Sequence, residues 1–276
     1  MMHQTRNSEP LTLEVIGQLA PSALAHHAHD SRSDRYAYIP TIGVIEAMQK
    51  AGFYAFDAKQ CKSRDASKKE HTKHMIRFRH NSQMDAVGDC LPEVVLVNSH
   101  DGSSAYKLMA GIFRLVCSNG MIVADSMQDS ISVRHSGNII DQVIKGSNQL
   151  VANVPKTLDA VTRWSQLQLT EGEQAAFADA ARTIRFGDAE GTVETPITAA
   201  QLLSPRRYYD AGNDLWKTFN RVQENVIRGG LRARGRDSQG RRRVFSARAV
   251  NGIDQDVKLN KALWQLAEKM AELKAA

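Results

Sequence analysis

The sequence predicts an α+β fold: an antiparallel β-meander covered by a long helix, followed by a helical C-terminal half. Two observations carry this. Three apolar runs, Val94–Asn98, Tyr106–Cys117 and Met121–Val123, are rich in the branched and aromatic residues that suit a pleated surface, and the turn dipeptides Asp101-Gly102 and Asn119-Gly120 separate them. Beyond Gly137 the apolar period changes from two to about 3.6 and helix-capping signals recur.

Residues 1–35 read as a variable, polar N-terminal segment, with a patch at Leu11–Leu19 apolar enough for one helix. His26, His27, His29 and Asp30 invite a metal, but no partner cluster with ligand spacing follows closely, so a solvated loop is expected. Ile39-Pro40-Thr41 ahead of Val44, Ile45 and Met48 predicts a short helix, with Thr41 as its cap, ending at Gly52. Phe53–Cys61 and His74–Arg79 alternate as two strands. The lysine-rich connector Lys62–Lys73 is long for a hairpin and is expected to be a mobile basic finger. Asn81–Pro92 reads as a second loop, after which the meander begins; Ile131–His135 extends it.

In the middle run, Gly111 and the closing Asn119-Gly120 favour a strand over a helix. Tyr106, Leu108, Ala110, Ile112, Arg114 and Val116 then share one face. Arg114 is the one cation on that face, either a snorkelling or paired arginine at the sheet margin or a ligand contact.

In the C-terminal half, Ile140, Val143, Ile144, Leu150, Val151, Val154, Leu158, Val161 and Trp164 form a stripe, on one long helix or on two meeting near Pro155. Its expected role is a lid on the sheet. Thr170-Glu171-Gly172-Glu173 matches a capping box and starts a helix to about Arg185; Thr198-Ala199-Ala200-Gln201 repeats the device. Further helices are predicted over Asp214–Ile227, stopped by Gly229-Gly230, and over Val257–Leu273. A boundary near Gly137 is possible, but a helix packing back on its sheet favours one α+β domain over residues 36–276, with 36–137 as helix plus sheet and 138–276 as the helical half.

At 276 residues, with no apolar run near the ~18 residues of a membrane span and no basic-then-apolar start, the chain reads as a cytosolic protein. Its three cysteines, Cys61, Cys90 and Cys117, are odd in number and lack a CxxC pair, which fits a reducing compartment. The net charge is only +6, but it is concentrated. Lys62–Arg79 holds Lys62, Arg64, Lys68, Lys69, Lys73, Arg77 and Arg79 against Asp65 and Glu70. Arg206–Arg248 holds Arg206, Arg207, Arg228, Arg232, Arg234, Arg236, Arg241, Arg242, Arg243 and Arg248, with further cations, against four acids.

Residues 229–248, GGLRARGRDSQGRRRVFSAR, read as a flexible basic loop able to lay guanidinium forks along phosphates. Nucleic acid is the polyanion this composition points to, in preference to a linker that is basic for solubility. Tyr208, Tyr209 and Trp216 beside Arg206-Arg207 favour single strands, since bases stack on such rings, although Trp216 equally suits a core. No GxxxxGK[ST], HExxH, GxSxG or zinc-type cysteine pairing is present, and no cofactor is expected. His100, Asp101, Cys117 and His135 are the residues from which an unrecognised catalytic centre would have to be built.

Arg35-Tyr36, Ile39-Pro40-Thr41, Asn98-Ser99-His100-Asp101-Gly102, Gly111, the run Arg114-Leu115-Val116-Cys117-Ser118-Asn119-Gly120, Val133-Arg134-His135, Arg228-Gly229-Gly230 and Leu263-Trp264 resemble the phage- and plasmid-associated family of domain of unknown function 932. That resemblance implies a mobile-element protein and names no chemistry. The layout alone is similar to the Rad52-type single-strand annealing fold, whose rings hold DNA in a basic groove. No annealing-protein motif is matched, so no site is carried over. The expectation is therefore a nucleic-acid-binding protein, single-stranded DNA favoured, able to anneal or recombine if it forms a homo-oligomer or ring. The rival is a host-interaction or anti-defence protein whose basic loop grips an acidic protein.

Overall fold

The computed structural model describes residues 9–31, 38–63, 65–84, 86, 89–115, 119–123, 131–133, 138–187, 195–236 and 239–275. The chain divides into two compact units, Met1–Pro155 and Lys156–Ala276. The division falls at Pro155, inside a helix, because the first turns of that helix belong to the core of the first unit.

The first unit is built on strands β1 Phe53–Gln60, β2 His74–His80, β3 Cys90–Asn98, β4 Tyr106–Arg114, β5 Asn119–Ile122 and β6 Ile131–Val133. They pair antiparallel in the order β1-β2-β3-β4-β5, the meander that the apolar runs predict, while β6 pairs with β4 instead of following β5. Helices α1 Leu13–Leu19, α2 Thr41–Lys50 and the first half of α3 Ile139–Gln166 supply the lid. Ile16, Ile45, Met48, Val143 and Leu150 pack with Phe78, Val94, Leu96 and Leu108 of the sheet. Gly146 permits the close approach, since a β-carbon there would lie 2.9 Å from Leu108 Cδ1.

Several local expectations are corrected. Asn119-Gly120 is not the turn after β4: Asn119 pairs with Arg114 and Gly120 with Phe113, so both belong to β5. Asp101-Gly102 does turn the chain, with Gly102 at φ 75°. Pro92 lies inside β3, opposite Ile112, in the part of that strand that pairs with β4 alone. There β2 no longer needs a donor from it. Residues 65–73 of the connector fold as a turn and not as a mobile finger. The Asp65 side chain accepts from Ser67 N at 3.0 Å to cap a 3-10 turn over Ala66–Lys68, Cys61 N donates to Lys73 O at 2.8 Å, and Thr72 Oγ1 donates to Cys61 O at 3.0 Å.

In the second unit, α4 Glu171–Phe186 and α5 Ala199–Leu203 both start on complete capping boxes at Thr170 and Thr198. Helix α6 Leu215–Arg228 is capped by Asp214 and ends on Gly229 at φ 61°. Strands β7 Arg232–Arg236 and β8 Arg242–Ser246 form a hairpin, and α7 Ile253–Ala275 closes the chain. The core centres on rings: Trp164 lies 4.5 Å from Trp264 and 5.7 Å from Phe219, which stacks on Trp216. Trp216 is thus a core residue. Among the described residues no helix is long and apolar enough to cross a membrane.

Candidate nucleic-acid interface and a buried histidine network

Within the stretch 229–248, expected to be a flexible loop, the described residues Arg232–Arg236 and Arg242–Ser246 form a β-hairpin. Arg232 pairs with Ser246, Arg234 with Val244 and Arg236 with Arg242. Residues opposite one another share a face, so Arg232, Arg234, Arg236, Arg242 and the exposed Val244 stand on one side. The other side carries Ala233, Gly235, Arg243 and Phe245. Gly235 lets that side approach the preceding segment, since a β-carbon there would lie 2.9 Å from Pro196 Cγ. All four arginines of the first side are exposed, and Arg234, Arg236 and Arg242 line a concavity together with Arg243. Arg236 is steadied by donating to Gly240 O at 2.7 Å, and Gln201 Nε2 holds Arg232 O at 2.8 Å. Among the described residues, none of Arg232, Arg234 or Arg242 meets a carboxylate. Arg241 and Arg248 are also exposed, and Arg248 O accepts from Arg185.

Other predicted contacts serve the fold. Arg206 Nε donates to Asn225 Oδ1 at 2.6 Å, and its Nη2 donates to Gly229 O. Glu224, only 3% exposed in its side chain, bridges Arg207 at 3.0 Å and Arg228 at 2.9 Å. These three arginines tie α6 and the residues before it to the hairpin root. Lys62 and Lys69 are exposed on the first unit's turn, Lys68 and Lys73 are half-buried there, and Arg64 lies outside the described residues. Arg77 and Arg79 are not open to an outside ligand, because both are buried and pair inside the sheet with buried Glu93, at 2.5 and 3.1 Å. Arg79 also lies between the Phe56 and Phe113 rings, 4.2 and 4.4 Å from their centres. Arg114 is the paired arginine of its two readings, bonded to Asp89.

Sequence reasoning missed a second constellation. Thr41 does not cap α2 but opens it, and its hydroxyl lies 3.0 Å from His74 Nε2, 3.1 Å from His100 Nε2 and 3.2 Å from the Tyr106 hydroxyl. Asn98 Nδ2 donates to it at 3.1 Å, and the Ser22 hydroxyl meets His74 Nδ1 at 3.1 Å. Ser22, Thr41, His74, Asn98, His100 and Tyr106 are all 0% exposed. Burial pushes the His74 pKa down to about 4, so the ring is neutral near pH 7.

The network continues outward into the stretch expected to be a solvated loop. His71 Nε2 lies 3.3 Å from His27 Nδ1 with the rings stacked, and His29 meets His71 edge-on at 5.4 Å. The backbone closes it: His29 N donates to His100 O at 3.1 Å, and His100 N to His71 O at 3.0 Å. Burial, then the neighbouring His27 and His29, lowers the His71 pKa. Among the described residues no three His, Cys, Asp or Glu side chains are placed to hold a metal ion. His100 faces this interior network, Asp101 accepts from Ser103 N at 2.9 Å in its turn, and Cys117 and His135 lie outside the described residues.

A family model described as "Domain of unknown function (DUF932)" matches residues 28–264. The chain belongs to the DUF932 family. Two relatives from Escherichia coli (strain K12), the UPF0380 proteins YafZ and YfjQ, are each 43% identical to it over 265 residues, covering 96% of this chain and 93% of theirs. No solved structure matches. Among the described residues that carry the DUF932 resemblance, eight take up three structural roles. Thr41, Asn98 and His100 build the buried network; Gly111 and Gly120 flank the Arg77 guanidinium; Arg228, Gly229 and Gly230 form the hairpin root.

Proposed function

We propose that this DUF932 protein acts in the cytosol as a nucleic-acid-binding protein and that the β7–β8 hairpin is its contact surface. One observation supports this above the rest: Arg232, Arg234, Arg236 and Arg242 project from one exposed face of an ordered hairpin. Strand geometry places successive same-face residues about 6–7 Å apart. Guanidinium forks so arrayed suit a polymer of phosphates better than a single acidic group. Because the hairpin fixes the arginines before binding, little backbone entropy is lost on contact.

The test is a salt titration of oligonucleotide binding. With four phosphates neutralised, log affinity should fall against log salt with a slope of roughly −3 for single strands. Converting Arg234 and Arg236 to Glu should abolish binding while the tryptophan emission of the folded second unit is retained. Affinity that ignores salt would sink the reading. So would displacement of the oligonucleotide by polyglutamate at equal charge concentration, which would instead favour an acidic protein as partner.

A further inference from the structure

Resting on that reading, we propose that Tyr208 and Tyr209 form a base-stacking platform at the hairpin root, making single-stranded nucleic acid with unpaired bases the ligand of this surface. The second unit buries Trp164, Phe177, Trp216, Phe219 and Trp264, yet leaves Tyr208 90% and Tyr209 69% exposed. Two consecutive aromatic residues at that exposure contribute little to the core.

Their backbone, in contrast, is fixed. The pair sits on a 3-10 turn, Tyr208–Asp210, between anchored neighbours. Before it, Arg207 is held by Glu224, and Arg206 by Asn225 and the Gly229 carbonyl. After it, Asp210 is 0% exposed. Gly229 and Gly230 are the residues from which β7 starts: Gly230 N donates to Ala247 O at 2.7 Å, beside the end of β8. The tyrosines are thereby tethered next to the root of the arginine hairpin.

The rings meet edge to face, 77° apart with centres at 6.2 Å. Two bases could each cover a different ring face while their phosphates follow the arginines. A duplex keeps its base faces stacked on one another and cannot use such a platform. Stacking is tolerant of base identity, so little sequence preference should accompany it.

Anisotropy on the full chain with three probes of equal length and phosphate number tests this: a mixed-sequence single strand, its duplex and an abasic strand. The single strand should bind about tenfold or more tightly than the abasic strand. Replacing both tyrosines, Tyr208→Ala with Tyr209→Ala, should erase that difference and leave abasic binding unchanged. The Tyr→Phe pair should preserve it. Equal affinity of the intact protein for abasic and normal strands, or tighter binding of duplex, would overturn the platform and leave the arginine face standing. No binding of any probe would overturn the arginine-face reading, and the platform with it.

Discussion

At Gly120 a β-carbon would come within 2.7 Å of Arg77 Nε and Nη1, and at Gly111 within 3.1 Å of Nη1. The guanidinium cannot retreat, because Nη1 is bonded to Glu93 at 2.5 Å while both terminal nitrogens donate to Met121 O. Glycine in these strands makes room for a buried cation, a role quite different from turn formation. Gly120→Ala should therefore strain or break a buried ion pair, lowering stability by about 3–5 kcal/mol in urea unfolding. Gly43→Ala is the control: it lies within α2 with nothing inside 4 Å of the added methyl. It should be neutral or stabilise by roughly 0.5–1 kcal/mol. A loss at Gly120 no larger than 1 kcal/mol would show that Arg77 finds another place to go.

At the scale of elements, the helix starts were the most legible part of the chain. Thr170 and Glu173 satisfy reciprocal backbone donors, at 3.3 and 2.7 Å, as their spacing demands, and Lys274 bonds the same Glu173 carboxylate. Thr170→Ala should cost about 1 kcal/mol, read as a lower urea midpoint for tryptophan emission, whereas Thr170→Ser should cost little. Strands were legible where apolar alternation marked them, as in β2 to β4. The hairpin β7–β8 was not, because Arg-Ala-Arg-Gly-Arg alternates charge with smallness and buries little. Its order comes from a cross-strand ladder and from Gly235 meeting Pro196, a contact between residues far apart in sequence. The histidine network was hidden for the same reason: His27, Thr41, His71 and His100 lie on four separate segments that only folding assembles. Glu93 was a signal that could have been used, since a carboxylate inside an otherwise apolar strand requires a buried cation nearby.

At the scale of the whole molecule, the two units should answer acid differently. His74 belongs to the first unit, and its folded pKa of about 4 lies below the ordinary value of 6.5. Above pH 6.5 neither the folded nor the unfolded chain holds this proton, so the group adds no pH dependence. As pH falls from 6.5 towards 4, the unfolded chain takes up the proton and the folded one does not. Stability of the first unit is then lost progressively, by about 3 kcal/mol in all, and the loss levels off below pH 4. All three tryptophans, Trp164, Trp216 and Trp264, lie in the second unit. Tryptophan emission therefore follows that unit, while far-ultraviolet circular dichroism follows both. Between pH 7 and pH 5 the circular dichroism transition should move to lower urea relative to the emission transition. His74→Gln keeps a hydrogen-bonding side chain and removes that titration, so in the variant the gap between the transitions should widen less with acid, His71, whose pKa burial also lowers, accounting for the remainder. A gap that widens equally in the variant would assign the acid sensitivity to groups other than His74.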